Sequence, residues 1–524
     1  MPDQEPPPLG PDERSHLSGI PRRKVLQGGL AAGAAAIIGR TPILGRPRAG
    51  QSHLWGRLRH PDSLAFPDRM PGSDTMDQIE HIVVLMMENH SYDNILGMLG
   101  RGPGQRPRGD GFRIGPNGLP LATNPYPNGM RQHAFNMPTT CQLGDSPSQE
   151  WRASHVAFND GRNDGFVRAP ISPTIPEPVG GVAMGYWTWQ ELPFTYSLAS
   201  TFPVGDRWFC SLLGQTDPNR RYLIAATSSG MTDDISTTAT FGNLEQDSLL
   251  ATPANGTIFD RLEAFGISWA DYYSSFPTGC TALLYPVDDS GVAFSIHGGS
   301  SAGPSSSPRA PDPSSLENFK PIDQFFTDAA AGSLPNFCIV DPNYSTQSQE
   351  NPQNMVIGEQ FMAKVINAVM EGPGWEKTLL IYTYDEHGGY YDHVPPPPAL
   401  APDAIPPIVQ PGESPYNGFH QYGFRVPAVV VSPYSRPDHV THVLHDHTSI
   451  LAMVERKWNL PAMTMRDANA TDLMDFIDLS KMAFREPPKL AAPNTSPAAM
   501  ACTKTGPGTI PPPGSVSSAP SQQH

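Results

Sequence analysis

The stretch LIYTYDEHGGYYDHVPPPP, residues 380–398, decides how this chain folds. Its apolar start, Leu380–Tyr382, is typical of a buried strand, and the strand ends abruptly in Asp385-Glu386-His387. Charged side chains are ordinary where a strand reaches the surface. Open α/β sheets, however, bind ligands at the carboxyl ends of their strands. The glycine pair at 388–389 favours a site here, since a backbone without Cβ permits close approach of a ligand.

Other apolar runs alternate with amphipathic helices along the chain. The strand-like runs are Ile82–Met87, NFCIVDP at 336–342, which ends in an aspartate, and VPAVVVSP at 426–433. Helical spacing covers 358–375, with Gly372-Pro373 as a stop, and 448–460, with Thr448 or Ser449 as the cap. This alternation predicts an α/β protein with a mainly parallel sheet sandwiched by helices and connected by long Gly/Pro-rich loops.

Composition divides the chain into a domain and two ends. We expect one domain over residues 76–480. The Gly/Ser/Pro-rich segment 298–315 predicts a flexible insertion in that domain or a linker between two lobes. Residues 481–524 are rich in proline, serine and alanine, which predicts a disordered tail.

The net charge and the cysteines limit the partners and chemistry. The 524 residues carry a formal charge of −16, which argues against nucleic acid and anionic membranes as electrostatic partners. The five cysteines contain no CxxC pair, so neither a zinc knuckle nor a redox motif is supported. An oxidising compartment would allow up to two disulfides, and the spacing leaves their connectivity open.

The N-terminus indicates export. Arg22-Arg23 precedes a short run of small apolar residues, 28–39, which is shorter than the ~20 residues that span a bilayer. The pattern predicts a twin-arginine signal peptide and connector over residues 1–50, and a secreted, periplasmic or cell-envelope location. A chance basic pair before an apolar helix is the alternative. No other segment is long and apolar enough to be transmembrane.

Three polar clusters carry the chemistry. Glu88 and Asn89 follow the first strand, and Asp385 and Glu386 follow a later one. The sequence QTDPNRR predicts a helix N-terminus with Thr216 at the cap, where free N–H groups favour an anion such as phosphate. Arg220 falls on the same helical face, and Asp446-His447 precedes another helix. Ordinary helix capping is the alternative for both Asn89 and Thr216.

Together the clusters predict one divalent metal and one nucleophile. Oxygen ligands would come from Glu88, Asn89, Thr216, Asp385 and Glu386, which favours Ca²⁺, Mg²⁺ or Mn²⁺, whereas a histidine ligand would favour Zn²⁺. The metal would lower the pKa of the Thr216 hydroxyl, and attack on phosphorus would form a phospho-threonine that water hydrolyses. We expect Thr216, Arg220 and His447 to be catalytic.

These clusters resemble the bacterial phosphoesterase family that contains phosphatidylcholine-type phospholipases C and a class of acid phosphatases. The matching segments span about residues 79–460 and are 79–94, NDGRNDGF at 159–166, 184–220, 375–397, 426–436 and HDHTSI at 445–450. The resemblance implies an alkaline-phosphatase-like core and twin-arginine export. It also implies metal contacts at Glu88, Asn89, Asp385 and Glu386, with Thr216 as nucleophile.

The chain departs from the family pattern at two positions. Gln149 and Asn351 stand where family members commonly carry histidines, and His133, His155, His297 or His447 could compensate. Neutral amides there would alter the pH optimum, the leaving-group preference or the rate.

Three functions are compatible with these residues. We expect a metal-dependent phospholipase C-like hydrolase acting on a phosphate ester, with a phospholipid as one candidate substrate. The alternatives are an acid phosphatase-type phosphomonoesterase and a catalytically impaired binding protein. The aromatic stretch MGYWTWQ, 184–190, would supply an apolar rim for a lipid or pack in the core.

Overall fold

An eight-stranded sheet runs through the centre of the computed structural model. The structure describes residues 58–142, 147–170, 180–234, 253–276, 279–285, 317–409, 412–500 and Gly514. The predicted signal peptide, the predicted insertion at 298–315, His297 and Cys502 lie outside these residues.

The strands are short except at the centre of the sheet. They are β1 His81–Met87, β2 Thr123–Pro125, β3 Arg131–His133, β4 Phe135–Asn136, β5 Gly185–Tyr186, β6 Val204–Gly205, β7 Trp269–Tyr273, β8 Phe319–Pro321, β9 Phe337–Asp341, β10 Thr378–Tyr384, β11 Ala428–Val431 and β12 Val440–Thr441. The main sheet has the order β12-β6-β11-β10-β1-β9-β7-β8. Only β11 runs against its neighbours, so the sheet is mainly parallel, as predicted.

The described α-helices lie between and after these strands. They are α1 Tyr92–Leu96, α2 Trp151–Phe158, α3 Pro193–Thr201, α4 Thr216–Ala225, α5 Ile258–Ala264, α6 Ile322–Ala331, α7 Met355–Glu371, α8 Thr448–Trp458, α9 Met465–Ala468 and α10 Pro497–Met500. Helix α7 ends before Gly372, as its sequence predicts. None of the described helices has the length and apolar character that crossing a membrane requires.

The centre of the sheet is covered on both faces. Every residue of β1 and β10 is buried, which explains their continuous apolar runs, since alternation is expected only where one face meets water. The α/β class predicted from the sequence is therefore confirmed.

The domain extends beyond the predicted boundary at residue 480. Residues 481–500, which we expected in a disordered tail, pack against the domain instead. The Trp375 indole donates to the Phe484 carbonyl at 2.9 Å, and Thr140 Oγ donates to the Ala499 carbonyl at 2.9 Å. Composition alone does not predict disorder here, because prolines and small residues also suit an ordered segment that lies extended along a surface.

The described cysteines are of two kinds. Cys141 is disulfide-bonded, whereas Cys210, Cys280 and Cys338 are buried free thiols.

A buried carboxyl in α7 makes the stability of the domain depend on pH. Glu359 accepts hydrogen bonds from the Thr195 N–H and hydroxyl, both at 2.9 Å. Burial nevertheless raises its pKa from 4.5 to about 7. The protonated Glu359 carboxyl therefore stabilises the domain fully below pH 4.5. This stabilisation is lost as the pH rises through about 7.

We expect Glu359→Gln to remove this loss, which amounts to about 3 kcal/mol. Melting temperatures of wild type and variant, measured from pH 4 to pH 9, should diverge in favour of the variant as the pH rises. Glu371→Gln, at the exposed end of the same helix, is the control and should follow wild type. Parallel curves for wild type and Glu359→Gln would contradict the prediction.

Candidate active site

The predicted strand ends meet at one edge of the sheet. β1 and β10 are parallel neighbours, and Met87 lies opposite Tyr384 at their carboxyl ends. Glu88-Asn89 and Asp385-Glu386 therefore leave the sheet side by side. The Asn89 N–H donates to Asp385 Oδ1 at 3.1 Å, which ties the two segments together.

Gly388 is required where the two segments approach each other, because a side chain would not fit there. Gly388 has φ +63°, and a Cβ there would lie 1.8 Å from the Asn89 carbonyl oxygen. Asn89 itself adopts a left-handed backbone with φ +71°, which is uncommon for a residue with a side chain. The left-handed backbone of Asn89, packed against Gly388, sets the direction of the Asn89 side chain.

Oxygen atoms converge around the Asn89 amide. One terminal atom of that amide lies 3.1 Å from Thr216 Oγ, 2.9 Å from Glu386 Oε1 and 3.2 Å from Asp385 Oδ1. The amide has two possible orientations. If the atom at this position is nitrogen, it donates to the two carboxylates. If it is oxygen, it completes an all-oxygen donor set. Glu88 Oε2 is buried nearby without a hydrogen-bond partner among the described residues. Such a donor set fits a hard divalent cation.

The three carboxylates are almost fully buried. Burial raises the pKa of Glu88 and Glu386 well above the ordinary value, and the charge of Asp385 adds to both shifts. Burial also raises the pKa of Asp385, against the lowering effect of Arg220. A cation among these groups would stabilise their ionised forms.

Thr216 lies one position further into its helix than predicted. Gln215, with an extended backbone, occupies the N-cap of α4, and Thr216 is the first helical residue. Its hydroxyl therefore does not cap its own helix but lies 3.1 Å from the Asn89 side chain. At the start of the helix the Asp217 N–H already donates to Asp234 Oδ1 at 2.8 Å, and Pro218 has no N–H to offer an anion.

Arg220 lies beneath the carboxylates rather than at an open phosphate site. Its guanidinium is fully buried and lies 3.0 Å from Asp341, 3.3 Å from Asp385 and 3.6 Å from Glu88. Thr281 holds Asp341 with its N–H at 2.7 Å and its hydroxyl at 2.8 Å. Arg220 thus contacts three buried carboxylates, and its predicted role toward phosphate stays a prediction.

Asp341 was not assigned a role from the sequence. The signal was present, since Asp341 ends β9 just as Asp385 follows β10, and β1 lies between these two strands. Adjacent parallel strands place all three ends at one edge.

His447 contacts the site through the main chain. Its Nε2 lies 2.5 Å from the Asp385 carbonyl oxygen, and its Nδ1 has no hydrogen-bond partner among the described residues. Burial lowers its pKa to about 4, so the imidazole is neutral near pH 7 and Nε2 donates to the carbonyl.

The two positions that depart from the family pattern lie in different surroundings. The Asn351 amide lies 2.8 Å from the Tyr390 hydroxyl. The Gln149 carbonyl accepts from the Ser154 hydroxyl at 2.9 Å, beside the start of α2. Glu350, which the sequence did not single out, has its pKa raised to about 7 by burial and by the charge of Asp385.

Besides His447, the structure places two more of the histidines proposed to compensate. His133 ends β3, and His155 lies near the end of α2, where its ring stacks on Tyr416. The aromatic stretch 184–190 belongs to the core for the most part, because Met184, Tyr186 and Trp187 are buried.

A second group of possible ligands consists of Asp93, Asp392 and His393. The buried Arg425 lies 3.2 Å from Asp93 and 2.9 Å from Asp392, so a cation already neutralises this group. Burial lowers the pKa of His393, but Asp93 and Asp110 outweigh that effect and raise it to about 10.

Known proteins match this chain over the region that contains these residues. The family model described as the Phosphoesterase family matches residues 79–461. This chain belongs to the phosphoesterase family. The resemblance inferred from the sequence is confirmed, and the protein is a hydrolase acting on phosphoester bonds.

Several relatives of this phosphoesterase are phospholipases C. Phospholipase C A of Mycobacterium tuberculosis is 31% identical over 450 residues, which is 80% of each chain. Non-specific phospholipase C3 of Arabidopsis thaliana is 29% identical over 463 residues, 81% of this chain and 77% of the relative. Hemolytic phospholipase C of Pseudomonas aeruginosa is 29% identical over 441 residues, 79% of this chain and 57% of the relative.

The solved structures that align with this phosphoesterase are more distant. A protein in the alkaline phosphatase superfamily from Vibrio parahaemolyticus aligns with a TM-score of 0.32 and 11% identity, covering 64% of this chain and 72% of that one. The α/β class of the chain rests on its own sheet.

Proposed function

We propose that this phosphoesterase is a secreted, metal-dependent phospholipase C-like hydrolase with Thr216 as its nucleophile. One observation carries the proposal: the Thr216 hydroxyl, at the start of α4, lies 3.1 Å from an Asn89 amide that also contacts the Asp385 and Glu386 carboxylates. A nucleophile, a helix N-terminus and a set of hard ligands thus meet at one point.

Glu88, Asn89, Asp385, Glu386 and Thr216 would hold the divalent metal. When bound, the metal would lower the pKa of the Thr216 hydroxyl and offset negative charge on the phosphoryl oxygens. Ca²⁺, Mg²⁺, Mn²⁺ and Zn²⁺ are all candidates, and the oxygen donors favour the first three.

The reaction proceeds in two displacements at phosphorus. Thr216 Oγ loses its proton and bonds to phosphorus, while the bond from phosphorus to the leaving alcohol breaks and that alcohol takes up a proton. Water then attacks the phospho-threonine, which restores the Thr216 hydroxyl and releases the phosphorylated head group. Arg220 and His447 act as positioning residues in this scheme, through Asp385.

The phospholipase C names of the relatives support a phospholipid diester as substrate. The Arg22-Arg23 motif before a short apolar run supports export. The disulfide at Cys141 is consistent with an oxidising compartment outside the cytosol.

We expect hydrolysis of p-nitrophenyl phosphorylcholine to exceed hydrolysis of p-nitrophenyl phosphate, and to be lost with a chelator. Each of the four candidate metals would then be added back separately, which identifies the ion. Preference for the monoester would favour the phosphatase alternative. No turnover of either ester by folded, metal-loaded protein would contradict a hydrolase with broad aryl-ester activity.

The structural effect of the metal gives a second readout. Because the ligands are buried carboxylates with raised pKa values, the ion should raise the melting temperature of wild type. Glu386→Gln should lose most of this increase. An unchanged melting temperature on chelation would contradict the proposed site.

A further inference from the structure

A cavity of about 890 Å³ lies beside the motif NDGRNDGF, whose residues the proposed mechanism does not use. Its walls come from the end of α2, from the loop that follows α2, and from residues 416–421. Among the described residues, none of the five proposed metal contacts lines it. Its volume falls within the range of small-molecule sites, roughly 300–1,000 Å³.

An aromatic ring is held flat at this cavity. Tyr416 is 44% exposed, and its ring stacks on the His155 ring, with centroids 4.0 Å apart and planes at 6°. His155 in turn packs on Trp151 at 4.3 Å, and its Nδ1 contacts the Trp151 carbonyl at 2.7 Å. One side of the Tyr416 ring is thus supported by the protein.

The backbone is strained at Tyr416, which adopts a left-handed conformation with φ +43°, rare for an aromatic residue. An aromatic residue persists in this conformation only where the surroundings enforce it, and such residues cluster at functional sites. Across the cavity, Asn159 has φ +42° as the left-handed C-cap of α2, and Asp160 follows at φ +54°, a conformation that both residue types adopt readily.

The remaining lining is rich in planar polar groups. Six of the ten described lining residues carry amide, carboxylate or guanidinium groups: Asn159, Asp160, Arg162, Arg168, Asn417 and Gln421. Arg162 donates to Asn159 at 2.6 Å, and Arg168 pairs with Asp164 at 2.9 Å. The side chains are therefore ordered around the aromatic ring.

The Tyr416 ring and the polar lining together determine which class of ligand fits this cavity. The two guanidinium groups disfavour a cationic ligand over the Tyr416 ring. The polar lining disfavours a wholly aromatic ligand, which would cover these amides and charges without offering them hydrogen bonds. A polyhydroxylated ring has one apolar C–H face for the tyrosine and hydroxyl groups for the amides, the carboxylate and the guanidinium groups.

We propose that this cavity binds a polyhydroxylated six-membered ring, a sugar or an inositol. The ring is presented either by a soluble saccharide or by a lipid head group. Tyr416 supplies the stacking face, and Asn159, Asp160, Arg162 and Asn417 bind the hydroxyl groups.

Saturation-transfer NMR tests the soluble source, with maltose, cellobiose, N,N′-diacetylchitobiose and myo-inositol as separate probes at millimolar concentration. Sedimentation with phosphatidylcholine vesicles, with and without phosphatidylinositol, tests the lipid source. We expect a signal in at least one arm for wild type and for Tyr416→Phe, which keeps the ring. Tyr416→Ala should weaken it at least about fivefold.

Two results would overturn the proposal. The first is wild type that binds none of the four probes and sediments equally with both vesicle types. The second is binding that Tyr416→Ala leaves unchanged. Hydrolysis of p-nitrophenyl phosphorylcholine should be the same in wild type and Tyr416→Ala, which checks that the variant is folded. Asn417→Ala replaces it if Tyr416→Ala does not fold.

Discussion

Thr216→Ala is expected to lower kcat roughly a thousandfold or more, because the hydroxyl that we propose bonds to phosphorus is lost. Thr216→Ser keeps the hydroxyl and should retain most of the activity. Thr216→Val keeps the shape of threonine without the hydroxyl and should be as inactive as Thr216→Ala. The three variants separate the chemistry of this side chain from its packing beside Asn89, 3.1 Å away.

A trapped intermediate makes this prediction sharper. Rapid acid quenching of the wild-type reaction, followed by mass spectrometry, should find the phosphoryl group on the peptide that contains Thr216. With p-nitrophenyl phosphorylcholine, the adduct should carry the choline ester, since only the nitrophenyl group has left. Full activity in Thr216→Val, with no adduct in wild type, would show that another group or a water attacks phosphorus.

The centre of the fold was predictable because its signal is local. The uninterrupted apolar runs of β1 and β10 indicate strands buried on both faces, and the structure places them side by side. The direction of β11 was not predictable, since its run AVVV suits either orientation. The edge strand β12 and its neighbour β6 have two residues each and show no periodicity to detect.

The site was predictable where residues directly follow strands. The polar side chains after β1 and β10 share one edge because neighbouring parallel strands end together. Helical periodicity correctly places Arg220 one turn after Thr216, but it does not tell how far down a long side chain reaches. The structure shows that reach, since Arg220 also donates to the Met86 carbonyl at 3.2 Å. Asp341 was missed because its partner lies 121 residues away in the sequence.

Arg220→Met is expected to reduce the free energy of unfolding without metal by about 3–5 kcal/mol. The guanidinium is a cation that lies close to Glu88, Asp341 and Asp385, all of them buried. Its removal leaves buried carboxylates without their counter-charge. Chemical denaturation in the presence of a chelator measures the effect. Arg220→Lys keeps the charge but loses the forked contacts, so it should lie between wild type and Arg220→Met.

Loss of stability alone would not connect Arg220 with the metal, so the decisive quantity is the stabilisation that the metal adds. At the proposed site the guanidinium and the metal would neutralise the same carboxylates, and we expect the ion to stabilise Arg220→Met more than it stabilises wild type. Arg425→Met is a matched control, because Arg425 is equally buried between Asp93 and Asp392. It should be destabilised to a similar degree and gain from the metal only as much as wild type does. Equal metal-dependent stabilisation in both arginine variants would show that Arg220 supports the fold without acting on the ligand carboxylates. If the metal stabilises Arg220→Met less than it stabilises wild type, then Arg220 assists metal binding by holding Asp385 in place. That effect would then exceed the charge repulsion between Arg220 and the metal.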